Sequence, residues 1–486
     1  MKVSLSLVSH TNVGKTTLAR TLLRRDVGEV LDQAHVTEVA EKHTLIETEG
    51  GELELWDTPG FGDSARLLAR LRRSGQPIVW FFQQVWDRIA DRPFWCSQQA
   101  ALNIRDEADV VLYLVNAAEE PEDAGYVTPE LELLEWLGKP VVIVLNQTGE
   151  LAAESDLMRL RMDVWRRHLE RFSVVRDVVA LDAFSRCWVH ESELFDRIAP
   201  LVPAADRPLM EELRRAWSER NLRVFEHSLA AMAAYLARAA SDREGLPSRK
   251  PSRAEKRRAF AALGERLESW TGELTRTLLA AHDLEGKAAD AIERRIDAFV
   301  VQGEERIGPE KGALLGGVLS GALGGLAADV MAGGLTFGGG MLAGAILGAL
   351  GGAGLARGYQ LVTAGNRPAV SWSPAFLDGL AERTLLRYLA IAHFGRGRGE
   401  FQAEDEPRRW RAAVTAALAA DAEGWRETWK SLARQAQARP PDVRQGDLSP
   451  AIESVRAWLE RAARAALTEL YPAAAGALLR PGSRRR

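Results

Sequence analysis

The chain of 486 residues is predicted to be an α/β domain with a mostly parallel six-stranded sheet, followed by an all-α region that carries a glycine-rich hydrophobic hairpin. Three observations predict it. Short β-rich apolar runs recur at 3–8, 44–48, 53–56, 110–115, 141–145 and 178–181, with helical patterns between most of them. Such alternation builds a parallel sheet with helices on both faces. Beyond Pro200, Pro203 and Pro208 strand signals almost vanish, and apolar residues recur at helical spacing among Arg and Glu. Finally, residues 312–356 contain a single charge, Asp329, among dense Gly, Ala and Leu.

Length allows two to four domains with sizeable cores. A net charge of −4 supplies no bulk basic field, so nucleic acid is not an expected partner. Two cysteines, Cys96 and Cys187, are too few for a disulfide framework and point to a reducing compartment. The first apolar run is too short for a signal peptide. Sparse Lys with abundant Ala, Arg and Gly is the composition of a bacterial chain from a GC-rich genome.

The first run leads into Ser9-His10-Thr11-Asn12-Val13-Gly14-Lys15-Thr16-Thr17, and Leu18, Leu22 and Leu23 then recur at helical spacing. Strand, tight turn with Gly-Lys-Thr, and helix form the context of a phosphate-binding P-loop. Backbone N–H groups of such a turn face inward and cradle phosphates. Ser9, Asn12, Val13, Gly14, Lys15, Thr16 and Thr17 are therefore candidate nucleotide contacts, with Lys15 directed at the β- and γ-phosphates and the Thr16 hydroxyl at Mg²⁺. Ser9 stands where the motif usually has Gly. The third run ends at Asp57-Thr58-Pro59-Gly60. An acid at this strand end is placed to hold Mg²⁺ through water. Gly60 can offer its N–H to a γ-phosphate because no side chain blocks the approach. The same four residues also make a good turn.

On these motifs, residues 1–200 resemble the Era-like branch of the translation-factor-related GTPases, whose P-loop commonly reads Asn-Val-Gly-Lys-Ser/Thr. The resemblance implies hydrolysis of GTP to GDP and phosphate as a molecular switch, with GTP/GDP and Mg²⁺ bound. It implies that Thr37 is the switch I threonine that ligates Mg²⁺ and senses the γ-phosphate, with Thr44 as its rival. Phe61 occupies the position where Ras-like relatives carry a water-orienting Gln. Relatives with a hydrophobic residue there often use K⁺, held partly by the Asn that Asn12 matches, and K⁺ can neutralise charge near the β–γ bridge. The candidate catalytic residues are then Lys15, Thr37, Gly60 and Asn12. The candidate Mg²⁺ ligands are Thr16, Thr37 and Asp57, and Asn12 is the K⁺ ligand.

The family's base motif, Asn-Lys-x-Asp, reads here Asn146-Gln147-Thr148-Gly149. Asn146 is retained, Gln147 replaces the Lys that packs over the ring, and the carboxylate that accepts from guanine is missing. Losing such an acceptor costs about 1–3 kcal/mol of discrimination. Asp182-Ala183 stands where the family has Ser-Ala, so Asp182 is a candidate for the missing carboxylate, and GTP remains favoured through the resemblance.

Between Phe61 and the fourth run lies an insertion at about 62–105. It carries Arg66, Arg70, Arg72 and Arg73, then Pro77, Trp80, Phe81, Phe82, Trp86, Phe94 and Trp95. Basic residues followed by aromatics either dock on a membrane or partner or form a helical pair packed on their own domain.

The second half divides into helical regions at 209–308 and 359–479, a hairpin at 309–358 and a basic tail at 480–486. Trp410, Trp425, Trp429 and Trp458 have the spacing of bundle packing. In the hairpin, small residues recur at Gly312, Gly316, Ser320 and Gly324, then at Gly340, Gly344, Gly348 and Gly352. Such stripes let membrane helices approach closely, and about 20 apolar residues span a bilayer. Glycine costs a helix in water up to about 1 kcal/mol each, whereas a bilayer makes helix nearly obligatory. Two spans turning near Asp329, with Lys311 and Arg357 on the cytoplasmic side, are expected; a buried soluble hairpin is the alternative. The expected protein is a GTPase on the cytoplasmic face of the bacterial inner membrane, the alternative location being the cytoplasm. Its partners are guanine nucleotide, membrane lipid, an unidentified protein and a second copy in a homodimer. A dynamin-like membrane-remodelling GTPase and a nucleotide-gated scaffold with little hydrolysis are the rival classes.

Overall fold

The computed structural model describes residues 1–10, 13–24, 40–74, 92–147, 156–181, 188–284, 359–364, 367–393, 406–438 and 448–472. The chain divides into two compact units: Met1–Leu222 with Ala392–Glu406 and Leu470–Arg486, and Arg223–Ile391 with Pro407–Glu469.

The first unit is built on six strands: β1 Lys2–Ser9, β2 Glu41–Thr48, β3 Gly51–Asp57, β4 Val110–Asn116, β5 Val141–Asn146 and β6 Val175–Ala180. Their order across the sheet is β2-β3-β1-β4-β5-β6. Only β2 runs antiparallel to its neighbour, so the expected mostly parallel sheet forms. The central strands are covered on both faces, so β4 (VVLYLVN) and β5 (VVIVLN) read as continuous apolar runs, whereas β1 and β3 alternate with Ser and Glu and the edge strand β2 is only partly buried. On β4, Val111, Tyr113 and Val115 enter one core while Val110, Leu112 and Leu114 enter the other. That split is the two-residue period of a strand covered on both sides.

Helices α1 Lys15–Leu23, α2 Ser64–Ser74, α3 Arg92–Asp106, α4 Val127–Leu137, α5 Asp156–Leu169 and α6 Trp188–Ile198 connect the strands or follow the last of them. Within α3, α4 and α5, Ile104, Leu131, Leu134 and Trp165 join the core that contains Val8 and Phe61. Leu18 and Leu22 of α1, Phe195 of α6, and Leu213 and Trp217 of α7, Arg207–Ser241, fill the opposite core. β1 is central, with β3 on one side and β4 on the other. Ligands of such sheets bind at the carboxyl ends of strands where the order reverses, and here that point is the end of β1.

Part of the insertion now has a clear packing role. Phe94 and Trp95 on α3 are buried, and the guanidinium groups of Arg66 and Arg70 on α2 lie 4.4 and 5.4 Å from the Phe94 ring centre. These two aromatics are core, the packed-helix alternative; Pro77, Trp80, Phe81, Phe82 and Trp86 lie outside the described residues.

The second unit is largely helical, with most of α7 and then α8 Arg253–Ala281, α9 Pro374–Ala392, α10 Glu406–Ala419, α11 Ala422–Gln437 and α12 Ser449–Leu470. Trp425 stacks on Trp458 with ring centres 3.6 Å apart and meets Trp429 at 3.9 Å, the bundle packing expected of them. The all-α expectation needs one correction. β7 Arg243–Gly245, β8 Tyr359–Ala364 and β9 Arg367–Trp372 form an antiparallel sheet in the order β7-β9-β8. It escaped notice because β7 is three residues long and β9 contains Pro368, which normally argues against a central strand. The Pro368 carbonyl accepts from Leu246 N at 2.8 Å, so the ring costs the sheet no donor at that contact. The glycine-rich hairpin, 312–356, and the tail, 480–486, lie outside the described residues. Among the described residues no helix is long and apolar enough to cross a membrane.

Candidate nucleotide site

The site forms at the carboxyl end of β1 because three strand ends converge there. Ser9 closes β1, Asp57 closes β3 beside it, and Asn146 closes β5. The Leu7–Asp57 register sets the Asp57 side chain next to the start of α1. There the Thr16 hydroxyl donates to Asp57 Oδ2 at 2.6 Å. The turn after β3 is tied back to the central strand by the Thr58 hydroxyl, which donates to Leu7 O at 2.6 Å. Gly60 and Phe61 are both buried, and Phe61 N donates to Ser9 O at 2.9 Å. The Phe61 ring belongs to the core, so no polar side chain projects from the position that orients water in Ras-like relatives.

Gly14 begins α1 with φ of 91°, a conformation that glycine adopts without strain. A Cβ at this position would stand 2.8 Å from Asn146 Nδ2. The Asn146 amide itself donates to Val13 O at 2.8 Å. Asn146 therefore braces the phosphate loop from the next-but-one strand. Gln147 follows with φ of 57°, and its Nε2 lies 3.6 Å from where that Gly14 Cβ would be.

Lys15 is buried at 8% exposure, and its ammonium donates to Ser9 Oγ at 3.1 Å. The hydroxyl in place of the usual Gly thus gives the lysine an acceptor. Burial pulls the Lys15 ammonium below its ordinary value, and the carboxylates of Asp57 and Glu130 oppose that pull. Burial likewise pushes the Asp57 carboxyl up, against the charge of Lys15 and the Thr16 hydroxyl. Thr17 is buried behind the loop.

Hard oxygen donors suit Mg²⁺. Thr16 and Asp57 present such a pair, and Asp57 Oδ1 is buried with no hydrogen-bond partner. An orphaned buried carboxylate oxygen beside a hydroxyl fits a cation that completes it. Thr44, the rival switch I residue, lies on β2 and donates to Glu52 Oε2 at 2.9 Å, away from this pair. Thr37, Asn12, Thr148, Gly149, Asp182 and Ala183 lie outside the described residues.

The sequence reading missed Glu130, Tyr113 and Ser97. Glu130 on α4 is fully buried, 2.7 Å from His10 Nδ1, and the Tyr113 hydroxyl donates to it at 2.6 Å. Burial raises the Glu130 carboxyl, opposed by these two partners. Its signal was present: Val127, Glu130, Leu131 and Leu134 share one helical face, so a carboxylate stands on an apolar stripe. Ser97 Oγ accepts from Gly62 N and Asp63 N at 2.9 and 3.0 Å, securing the entry to α2; nothing in its sequence context marks it.

Residues 4–147 match the family model described as 50S ribosome-binding GTPase, and residues 166–455 match the model described as Domain of unknown function (DUF3482). The GTPase Der of Myxococcus xanthus (strain DK1622) is 27% identical over 209 residues, 42% of this chain and 36% of that protein. The chain thus spans about a third of the length of that curated relative. A variant of Aquifex aeolicus Era bound to GDP and AlF4⁻ shares 18% identity at a TM-score of 0.30, over 42% of this chain and 57% of Era. Era in complex with MgGDPNP and nucleotides of 16S ribosomal RNA shares 17% at a TM-score of 0.30, with the same coverage. The N-terminal part of the chain is a P-loop GTPase domain of the Era/Der-like type.

Proposed function

The chain belongs to the DUF3482 family, and from that premise and its GTPase domain we propose that it is a GTP-hydrolysing switch that works at a membrane surface. The observation that carries the reading is the Thr16 hydroxyl 2.6 Å from Asp57, beside a buried Lys15. In this reading the γ-phosphate is attacked in line by water, the bond to the β–γ bridging oxygen breaks, and GDP and phosphate leave. Lys15 and the loop amides neutralise charge on the transferred group, and Gly60 N–H meets the γ-phosphate. Thr16 and Asp57, joined by Thr37, would hold Mg²⁺, which supplies positive charge at the phosphate oxygens.

Buried Phe61 cannot polarise water, which favours assistance from K⁺ at Asn12. Asn146 and Gln147 would meet the base, with Asp182 and Ala183 completing its site. Nucleotide binding and hydrolysis test these assignments together, with GTP against ATP, each in K⁺ and in Na⁺. GTP preference and faster turnover in K⁺ are expected. Lys15→Ala is expected to abolish binding, and normal turnover in that variant overturns the reading.

The membrane clause rests on the composition of 312–356, where one charge falls in a long run of small and apolar residues. It makes lipid a partner and the cytoplasmic face of the inner membrane the working location. The ribosomal RNA in the Era complex is a property of that protein; the net charge of −4 supplies no bulk basic field here. Flotation of the full chain with anionic liposomes, and its loss on deleting 312–356, is the expected result. Flotation unchanged by the deletion overturns the clause.

A further inference from the structure

His10 is the second residue of the phosphate loop, and three contacts fix it. Its Nδ1 lies 2.7 Å from Glu130 Oε1. Its ring stacks on Tyr126 with centres 4.5 Å apart and planes 22° from parallel. Its backbone forms a parallel bridge to Phe61, beside the hydrogen bond from Phe61 N to Ser9 O at 2.9 Å. The residues behind this ring are themselves hydrogen-bonded. Glu130 is fully buried and held on its other oxygen by Tyr113, while the Tyr126 hydroxyl donates to Glu119 at 2.7 Å.

A buried carboxyl group is costly unless it is hydrogen-bonded, and both Glu130 oxygens have partners here, His10 and Tyr113. The Glu130–His10 contact therefore holds the loop by a side chain, while the His10–Phe61 bridge holds the turn that carries Gly60 by its backbone. One residue joins the two segments that must close on a γ-phosphate. Glu130 also acts on the Lys15 ammonium by charge, and the His10 variants leave that charge in place.

We propose that Glu130 is a positioning residue for γ-phosphate recognition: by holding the His10 ring through Nδ1, it sets the phosphate loop against the Gly60–Phe61 turn so that the site distinguishes GTP from GDP. The proposal rests on the GTPase reading above.

The test compares full-length wild type with His10→Ala, His10→Asn and Glu130→Gln, measuring Kd for GTP and GDP, kcat, and thermal stability. Asn keeps a donor near the Nδ1 position, and Gln keeps the shape of Glu130 without its charge. His10→Ala is expected to lower kcat and the GTP-over-GDP preference at least tenfold, with the Kd for GDP within threefold of wild type. His10→Asn is expected to restore both to within threefold, and Glu130→Gln to lower the preference at least threefold. Unchanged preference in His10→Ala or in Glu130→Gln overturns the proposal. Equal loss in His10→Ala and His10→Asn, following thermal stability, also overturns it, because it marks a merely structural contact. Should His10→Ala fail to fold, the isosteric Glu130→Gln decides alone. Wild type without GTP binding overturns the GTPase reading and this inference together, whereas normal wild-type turnover with unaltered variants overturns the inference only.

Discussion

Asn146 at the end of β5 donates its amide to the backbone carbonyl of Val13, 2.8 Å away and 133 positions earlier in the chain. The base motif and the phosphate motif are thus one hydrogen-bonded unit. Removing the Asn146 amide is therefore expected to loosen the loop that leads into Gly14 and Lys15.

Asn146→Ala leaves the Val13 carbonyl without this partner in a buried setting, a loss worth about 1–3 kcal/mol. A rise of about fivefold to a hundredfold in the Kd for GDP is expected, since about 1.4 kcal/mol is a factor of ten. Titration with a fluorescent GDP analogue checks it, and an unchanged Kd would show that the brace is dispensable.

Gly14→Ala meets two obstacles at once. The new Cβ would fall 2.8 Å from Asn146 Nδ2, and φ of 91° strains any residue with a Cβ by about 1–3 kcal/mol. Nucleotide binding should be lost while far-UV circular dichroism stays that of the wild type. Retained binding would mean that the loop can change its turn.

Glu54, buried on β3, provides the pH-dependent contribution. Burial by itself would push its carboxyl up, but hydrogen bonds from Lys42 and Ser4 and the charges of Lys2 and Lys42 outweigh it and hold it below the ordinary glutamate value. A carboxyl lowered in the folded state contributes stability that is complete above the unfolded value, about 4.3, and is lost as pH falls through the folded value. Wild type should therefore lose more stability than Glu54→Gln between neutral pH and pH below about 4. Urea denaturation across that range measures it; parallel curves for the two proteins refute the assignment.

Trp458 is 2% exposed and lies on the Trp425 ring with centres 3.6 Å apart. Truncating a buried tryptophan to alanine costs about 3–5 kcal/mol. Chemical denaturation of Trp458→Ala should show that loss in the helical unit, while GDP affinity stays near wild type. A loss below about 1 kcal/mol would place the ring outside the working core.

The phosphate end of the site was legible because its chemistry is local. Gly14, Lys15 and Thr16 are consecutive, and Asp57 ends the next-but-one strand, so strand periodicity and turn chemistry suffice to find them. Each of the six runs marks one strand: β4 and β5 as continuous apolar runs covered on both faces, β1 and β3 by two-residue alternation. Glu130 was harder to see, since its meaning depends on His10, 120 positions away. The small antiparallel sheet was harder still: β7 and β9 pair Arg243 with Ser371, and no local pattern announces a three-residue strand whose partner lies so far along the chain.

What the sequence alone determined is the class of protein: a nucleotide-binding α/β domain followed by a largely helical second half that contains a glycine-rich segment. These follow from spacing and composition, which act over a few residues at a time. What only the tertiary structure decided is which side chains complete one another. The brace from Asn146 to Val13, the hydroxyl of Ser9 accepting from Lys15, the unpartnered Asp57 oxygen beside Thr16 and the Glu130 hold on His10 all depend on where strands end next to each other. Hydrogen bonds act over about 3 Å, a distance set by packing and not by separation along the chain.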